Sequence, residues 1–480
     1  MLSLLPRAVV ALRMRIFAAV NGDEAIAVPG PLVDAAHFHD VYAHPAANGR
    51  SRGAALSDLF WYWLAPGPQV HQEHLEAGET YDDVARTTRH LLARPKAEIA
   101  ELVGRCAARH LDAMARLDAY GMREVRLRDL MMPIWADVFY ELVFAEPCPA
   151  RARALIVDNA TDVITALKCT GLRHMERRER LTAYLRDRLT VDEPAIPLPS
   201  TLTTEEQAWY VQGTFFNTAV VQMSEAMTHL LLAVAQHRDV HDRLAAALAD
   251  EGSPAGRAYA DRVIDEALRC YPLFGIAHRI TTGEIAVDER TTLPAGSVLC
   301  FNYPAYHSIG FDDPERFDPD RWLRVSPRDA HHIPFGVTAN RPCPARGIAP
   351  LAMRVAAREV LRRFVLYSTA AHTRSIPHRG PCLLVRRPSS CQRNVAREGE
   401  KPLTSVETRR LQRQRWRQGW ALRRRLAWMR TRDRWEDVSR SVVQLVLGTW
   451  MVLEARRLRH TQRHFAMQTE PSYGRTTTKG

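Results

Sequence analysis

Eight cysteines are scattered through this 480-residue chain, and one of them, Cys343, stands where a thiolate can do chemistry. It lies in Pro334-Phe335-Gly336-Val337-Thr338-Ala339-Asn340-Arg341-Pro342-Cys343-Pro344-Ala345-Arg346-Gly347, and a helical pattern returns at Arg346. A thiolate at a loop-to-helix junction is favoured by exposed N–H groups and the helix dipole. Taken alone, a lone cysteine is more often a buried structural thiol. Cys148, in Glu146-Pro147-Cys148-Pro149, mimics the surroundings locally but sits in the helical half. No Cys-x-x-Cys pair occurs, which argues against a zinc ribbon or a small disulfide scaffold and points to a reducing cytoplasm. Upstream, Glu266-Ala267-Leu268-Arg269 places opposite charges three residues apart, on one helix face, where they can pair. About fifty residues later comes Asp313-Pro314-Glu315-Arg316-Phe317-Asp318-Pro319-Asp320-Arg321-Trp322. In isolation the first is commonly a surface salt bridge and the second a proline-punctuated loop.

In this order and at these distances the segments resemble the cytochrome P450 family, in its bacterial-type soluble form. The resemblance runs from about Leu32 to Pro388 and is strongest from Asp265 to Leu351. It implies that Cys343 is the axial ligand of haem b and that Phe335 opens the cofactor-binding cysteine loop. Arg279 and Arg341 would pair with the haem propionates, for which bidentate guanidinium geometry is suited. A third propionate partner would come from Arg86, Arg89 or His74. Glu266, Arg269 and Arg316 would form a buried structural triad. A thiolate-ligated haem favours O–O cleavage, so the implied activity is that of a monooxygenase. It would oxidise a small, largely apolar molecule with O2 and two electrons from a ferredoxin and ferredoxin reductase.

Three departures from the family pattern bear on that expectation. Phe335 stands eight residues before Cys343, one more than is common, and Ala339 and Ala345 occupy positions usually held by glycine. Counting back from Leu232–Arg238 along the helix expected over the haem puts Ala219 at the usual glycine, Val221 at the acid and Gln222 at the alcohol. Gln222 can hold a water and relay a proton, since its amide both donates and accepts. Thr218 and Ser224 are the alternatives in a shifted register. The missing acid–alcohol pair keeps open a peroxide-using or redox-neutral enzyme, or a non-catalytic haem protein. Finally, only about thirty residues precede the first matching helix, Leu32–Ala43, so the first strands are expected to be short.

The elements that must position these residues are mostly helical. Ala97–Leu117 and Ala208–Leu248 carry apolar residues at three-to-four spacing. After Tyr271-Pro272, short alternating pieces at Glu284–Val287 and Ser297–Phe301 predict small strands. The fold class expected is mainly α with a minor β-sheet region, a P450-like body over 1–388, a linker over 389–402 and a basic helical extension over 403–480. Val406–Arg430 and Trp435–Phe465 read as two basic helices. The net charge of +12 is unevenly spread: residues 391–480 hold 21 Lys plus Arg against 8 Asp plus Glu, leaving −1 for the preceding 390. The extension either docks on the body, with Leu411, Leu422, Leu426, Val438, Val442, Leu445 and the tryptophans as its seam, or meets an acidic partner or an anionic membrane surface. Nucleic acid is the least favoured partner. The N-terminal Met1–Val20, interrupted by Arg7, Arg13 and Arg15, reads as an amphipathic surface or docking helix. Outside it no stretch reaches the apolar length of a membrane span; the best, Val442–Leu453, is too short.

Overall fold

The computed structural model describes residues 25–49, residues 75–387 with short gaps at 115–116, 172–173, 192–195, 251, 274 and 328, the helix 405–469, and isolated positions before residue 16. Most of the N-terminal segment, His74 and the expected linker 389–402 lie outside the described residues.

The chain opens with strand β1 (Ile26–Val28) and the short helix α1 (Phe38–Ala43). Then come α2 (Glu79–Leu92), α3 (Lys96–Ala113), strand β2 (Met122–Arg126), α4 (Leu127–Phe144), α5 (Ala150–Lys168) and α6 (Met175–Val191). A continuous rod follows, built of α7 (Thr204–Val211), a π-helical stretch Gln212–Ala219, and α8 (Val220–Gln236). Next are α9 (Arg238–Ala249) and α10 (Pro254–Cys270), with β3 (Ile276–Ile280), β4 (Ile285–Ala286), β5 (Thr292–Leu293) and β6 (Val298–Asn302). The body closes with α11 (Tyr303–Ser308), α12 (Ala349–Arg363), β7 (Phe364–Tyr367) and β8 (Pro381–Arg386), and α13 (Ser405–Thr469) follows.

Helices build the main core because two of them are apolar nearly all round, a pattern that only burial satisfies. In α4, 16 of the 18 residues are buried, and in α8, 14 of the 17. The rod Thr204–Gln236 is long and apolar enough to cross a membrane by length and composition, which the expectation of no such stretch overlooked. Within the protein, 78% of its apolar window is buried, as a core helix requires.

The sheets are small, as the alternating pieces predict. β1 runs parallel to β6, with Ile26 beside Leu299, and β3 runs antiparallel on the other side of β6, with Arg279 beside Leu299. β2, β8 and β7 form a second, antiparallel sheet, and β4 and β5 pair as a hairpin. A separate apolar cluster joins α1 to the first sheet: the Phe38 ring stacks on Tyr306 at 3.8 Å, and Tyr42 meets Phe301 edge-on at 4.6 Å. β1 is only three residues long, and the first helix starts at Phe38 rather than Leu32.

The extension departs from expectation most. One helix of 65 residues replaces the two expected. It does dock: Met429 is fully buried and packs with Met122, Leu383 and Val385 of the second sheet, with Leu422 and Leu426 beside it. Leu411 is a residue whose side chain lies outside the description. Beyond Met429 the seam is polar. Asp433 accepts from the Thr369 hydroxyl at 2.7 Å, Asp437 from the Ala371 amide at 2.9 Å, and the Gln444 amide donates to the Lys168 carbonyl at 2.9 Å. The tryptophans turn outward: Trp416, Trp420, Trp428, Trp435 and Trp450 are all about half exposed or more, and Val442 with them. Buried hydrogen-bonding groups, rather than indole rings, seat this helix.

Candidate active site

A cavity lies between the rod and the cysteine loop. Thr214, Phe215, Thr218, Ala219, Gln222, Met223 and Ala226 line one wall; Pro334, Phe335, Gly336, Arg341 and Cys343 line the opposite one. Residues four apart on an α-helix drift by about 40° per step. The π stretch widens the rod where Thr214 and Thr218 sit, and the Thr218 hydroxyl donates to the Gly213 carbonyl at 2.7 Å, five residues back. Stretches of this kind often mark functional positions. Thr182 and Gln212, joined at 2.6 Å, pin its start to α6.

The loop with the extra residue still presents its sulfur. The Cys343 amide donates to the Phe335 carbonyl at 2.9 Å, closing the loop on itself. Two left-handed positions, Gly336 (φ 71°) and Arg341 (φ 51°), turn the loop between Phe335 and the cysteine. Asn340 locks that geometry by donating to the carbonyls of Tyr42 and Ala47, at 2.8 and 3.0 Å. The helix expected to begin just after the cysteine starts only at Ala349, six residues on. A dipole effect confined to the first turn therefore adds little at Cys343.

The cavity's polar edge is made by the first sheet and α1. Arg279, buried on β3, donates to the His278 carbonyl at 3.1 Å and to the Tyr42 hydroxyl at 3.4 Å. Tyr42 and Tyr303 share a hydrogen bond of 2.9 Å, and both line the cavity. Arg341 donates to Asn48 Oδ1 at 2.5 Å and to the Leu75 carbonyl at 2.6 Å, with its guanidinium 3.9 Å from the centre of the Tyr81 ring. Neither tyrosine was expected, because single tyrosines on a short helix and after a strand carry no spacing signal. Thr214 was missed for a related reason: the π stretch that turns it inward is invisible to a 3.6-residue count.

Three expectations need correction. Arg86 points to the surface, where it pairs with Asp83 at 2.8 Å, and Arg89 is exposed as well, so neither reaches the cavity. Ser224 is fully buried on the side of α8 away from the cavity. The third member of the buried triad is Arg321, not Arg316. Arg269 pairs with both oxygens of Glu266 at 2.9 Å, and Arg321 Nε donates to the same carboxylate at 2.9 Å. Arg316, an exposed residue, offers only its carbonyl, accepting from Arg321 at 2.8 Å. The segment Asp318-Pro319-Asp320-Arg321-Trp322 supplied the second arginine that the motif reading passed over.

Competing cysteines are placed against metal ligation. Burial pushes the thiols of Cys106, Cys270, Cys300 and Cys382 up to about 12, and raises Cys148 further. Cys343 is half-buried on the cavity wall. Of the two protonation states of cysteine, the thiolate is the metal ligand.

The sequence profile of the family described as Cytochrome P450 matches residues 150–393, half of the chain. The protein belongs to the cytochrome P450 family. The P450 is 36% identical over 145 residues to cytochrome P450 135B1 of Mycobacterium tuberculosis, a stretch covering 28% of this chain and 30% of that protein. It is 38% identical over 88 residues to cyclooctat-9-en-7-ol 5-monooxygenase of Streptomyces melanosporofaciens, covering 17% and 19%. The matched stretches thus span less than a third of these relatives' own length. Among solved structures, the fold matches retinoic acid-bound CYP120A1 of a cyanobacterium, with a TM-score of 0.58, 15% identity and 73% of this chain against 86% of that one. It also matches CYP102L1, with a TM-score of 0.57 and 16% identity, covering 76% of this chain and 92% of that one.

Haem b is the cofactor of this family, and the residues present suit it. The walls are apolar, a thiol stands on one face, and two guanidiniums with two phenols gather at one edge, where propionate carboxylates would be met.

Proposed function

We propose that this P450 is a monooxygenase of a small, largely apolar organic molecule, using O2 and two electrons from a ferredoxin-type donor. The observation that carries it is the convergence of Cys343, Arg279, Arg341 and the apolar wall of the rod on one cavity. Cys343 would ligate the haem iron, and Arg279 and Arg341 would hold the propionates, with Phe335 packing on the thiolate side. When bound, a thiolate-ligated haem supplies oxygen activation, with electron donation from sulfur. Phe139, Phe215, Leu92 and Met223 line the space with apolar surface, which suits an apolar substrate. The names of two relatives, cyclooctat-9-en-7-ol 5-monooxygenase and the pentalenene oxygenase of Streptomyces avermitilis, support oxidation of a compact organic molecule.

Proton supply falls to Gln222, with Thr218 one turn before it on the same wall. The Gln222 carboxamide can hold a water through its oxygen while its N–H donates onward. None of the described residues lining the cavity is acidic, and this favours a second reading in which peroxide replaces O2 and external electrons. One experiment separates the two. NADH-driven product formation with a ferredoxin and ferredoxin reductase supports the first; turnover with hydrogen peroxide alone supports the second.

A further inference from the structure

The outward face of α13 takes no part in the cavity and is not used by the proposed chemistry. Trp428, Trp435, Val442, Val446, Trp450 and Leu453 recur along it at spacings of seven, seven, four, four and three. Trp428 is 64% exposed, Val446 60% and Leu453 59%, so the stripe faces away from the body. Large apolar patches left open in a folded protein mark interaction surfaces.

The charge is sorted across the same helix. Its acidic residues between Gln412 and Trp450 all serve the body. Asp433 accepts from Thr369, Asp437 from the Ala371 amide, and Glu436 pairs with Arg126 at 2.8 Å. Arg417, Arg423, Arg424, Arg430 and Arg434 are exposed, and no ion pair joins any of them among the described residues. The Arg424 guanidinium lies 5.5 Å from the centre of the Trp420 ring. One side of the helix is therefore polar, acidic and seated; Arg417 and Arg424 share the other side with the indole rings and branched apolar side chains, and Arg423, Arg430 and Arg434 stand about 120–160° round from Trp428, on the helix's exposed flank.

We infer that this face of α13 lies on an anionic lipid bilayer, with its axis in the membrane plane. Tryptophan favours the boundary between headgroups and acyl chains, and arginines beside it meet anionic headgroups. From Trp428 to Leu453 the face runs for about 38 Å, longer than the roughly 30 Å diameter of a small domain. An extended flat surface can cover that length, whereas a small acidic protein covers only part of it. A second copy docked along the stripe would bring arginine against arginine.

The test uses the full-length, haem-loaded protein and vesicles of phosphatidylcholine with roughly one-third phosphatidylserine, the anionic lipid of cytoplasmic leaflets. Co-sedimentation with these vesicles is expected, with a blue shift of the indole emission, weaker binding at high salt and little binding to phosphatidylcholine alone. The variant Arg417→Gln/Arg424→Gln, which removes the two arginines of that face, should lose affinity by about fivefold per charge removed. Trp428→Ser/Trp435→Ser/Trp450→Ser alters exposed positions only. It should keep its haem spectrum and helix content while losing vesicle binding by at least about tenfold. Absence of binding to the anionic vesicles overturns the inference, as does binding that both variants retain. A dimer that dissociates in the tryptophan variant, or an acidic ferredoxin captured through the same tryptophans without vesicle binding, would assign the face to another occupant and equally overturn it.

Discussion

At the scale of single residues, the ligand assignment separates cleanly from its competitors. Burial holds the Cys148 thiol far above its ordinary value, with the Asp137 charge adding to the effect, whereas Cys343 faces the cavity. Cys343→Ala is expected to abolish the long-wavelength band of the reduced, CO-bound protein, and Cys148→Ala to leave it unchanged. A thiolate-type band surviving in the Cys343 variant would sink the assignment. The buried triad gives a second test, sharpened by the substitution of Arg321 for Arg316. Glu266 is fully buried and stays paired with Arg269, so Arg321→Ala removes one charge-assisted hydrogen bond to it, at a cost of about 1.5–3 kcal/mol. Arg316→Ala removes an exposed side chain whose carbonyl makes the contacts, and should change stability by no more than about 0.5 kcal/mol. Thermal unfolding of the two variants, followed by haem absorbance, compares them directly. Equal losses would mean that the Arg316 side chain belongs to the network.

Among the elements, legibility followed the range over which the determining physics acts. The Glu-x-x-Arg helix, the cysteine loop and the strands near Ile285 and Val298 were readable because spacing within a few residues fixes them. The π stretch was not, since widening at Gln212–Ala219 is decided by what packs on the rod, including the Thr182 contact from α6. Nor was the polar edge, where Tyr42 and Tyr303 meet across 261 positions of sequence. A third long-range feature ties α8 to the loop between β7 and β8. His229 and His372 share a 3.0 Å hydrogen bond, and the Tyr271 ring stacks on His372 at 3.6 Å. Burial first, then the neighbouring histidine charge, lowers His229 well below its ordinary value; burial likewise lowers His372. Both are therefore neutral in the folded protein, while the unfolded chain takes up protons at about pH 6.5. Their contribution to stability is complete above that pH and is lost as the pH falls below it. The unfolding midpoint should drop between about pH 7.5 and pH 5.5, and His229→Gln/His372→Gln should flatten that slope. An unchanged slope would place the acid sensitivity elsewhere.

For the whole molecule, the question is whether α13 is an appendage or a part of the body. The charge division at about residue 390 suggested independence, and the docked seam argues the opposite. Met429 fills a site between Met122, Leu383 and Val385, worth about 2 kcal/mol by the area it removes from water. Asp433, Asp437 and Gln444 satisfy groups of the β7–β8 loop and the end of α5, at about 1 kcal/mol for each hydrogen bond. A protein ending at Pro388 should therefore lose about 5 kcal/mol, a large share of the stability of a typical domain. It should also expose the face of the second sheet, so that low solubility accompanies a lower unfolding midpoint. The cavity is built entirely from residues before that point, so the fraction that does fold should still take up haem and give the thiolate-type spectrum. The triple variant Asp433→Ala/Asp437→Ala/Gln444→Ala isolates the polar seam, because it keeps Met429 and the outward tryptophans in place. Its midpoint should fall between those of the intact and shortened proteins. If the protein ending at Pro388 is soluble and unfolds at the same temperature as the intact chain, the contacts of α13 contribute nothing measurable to the body.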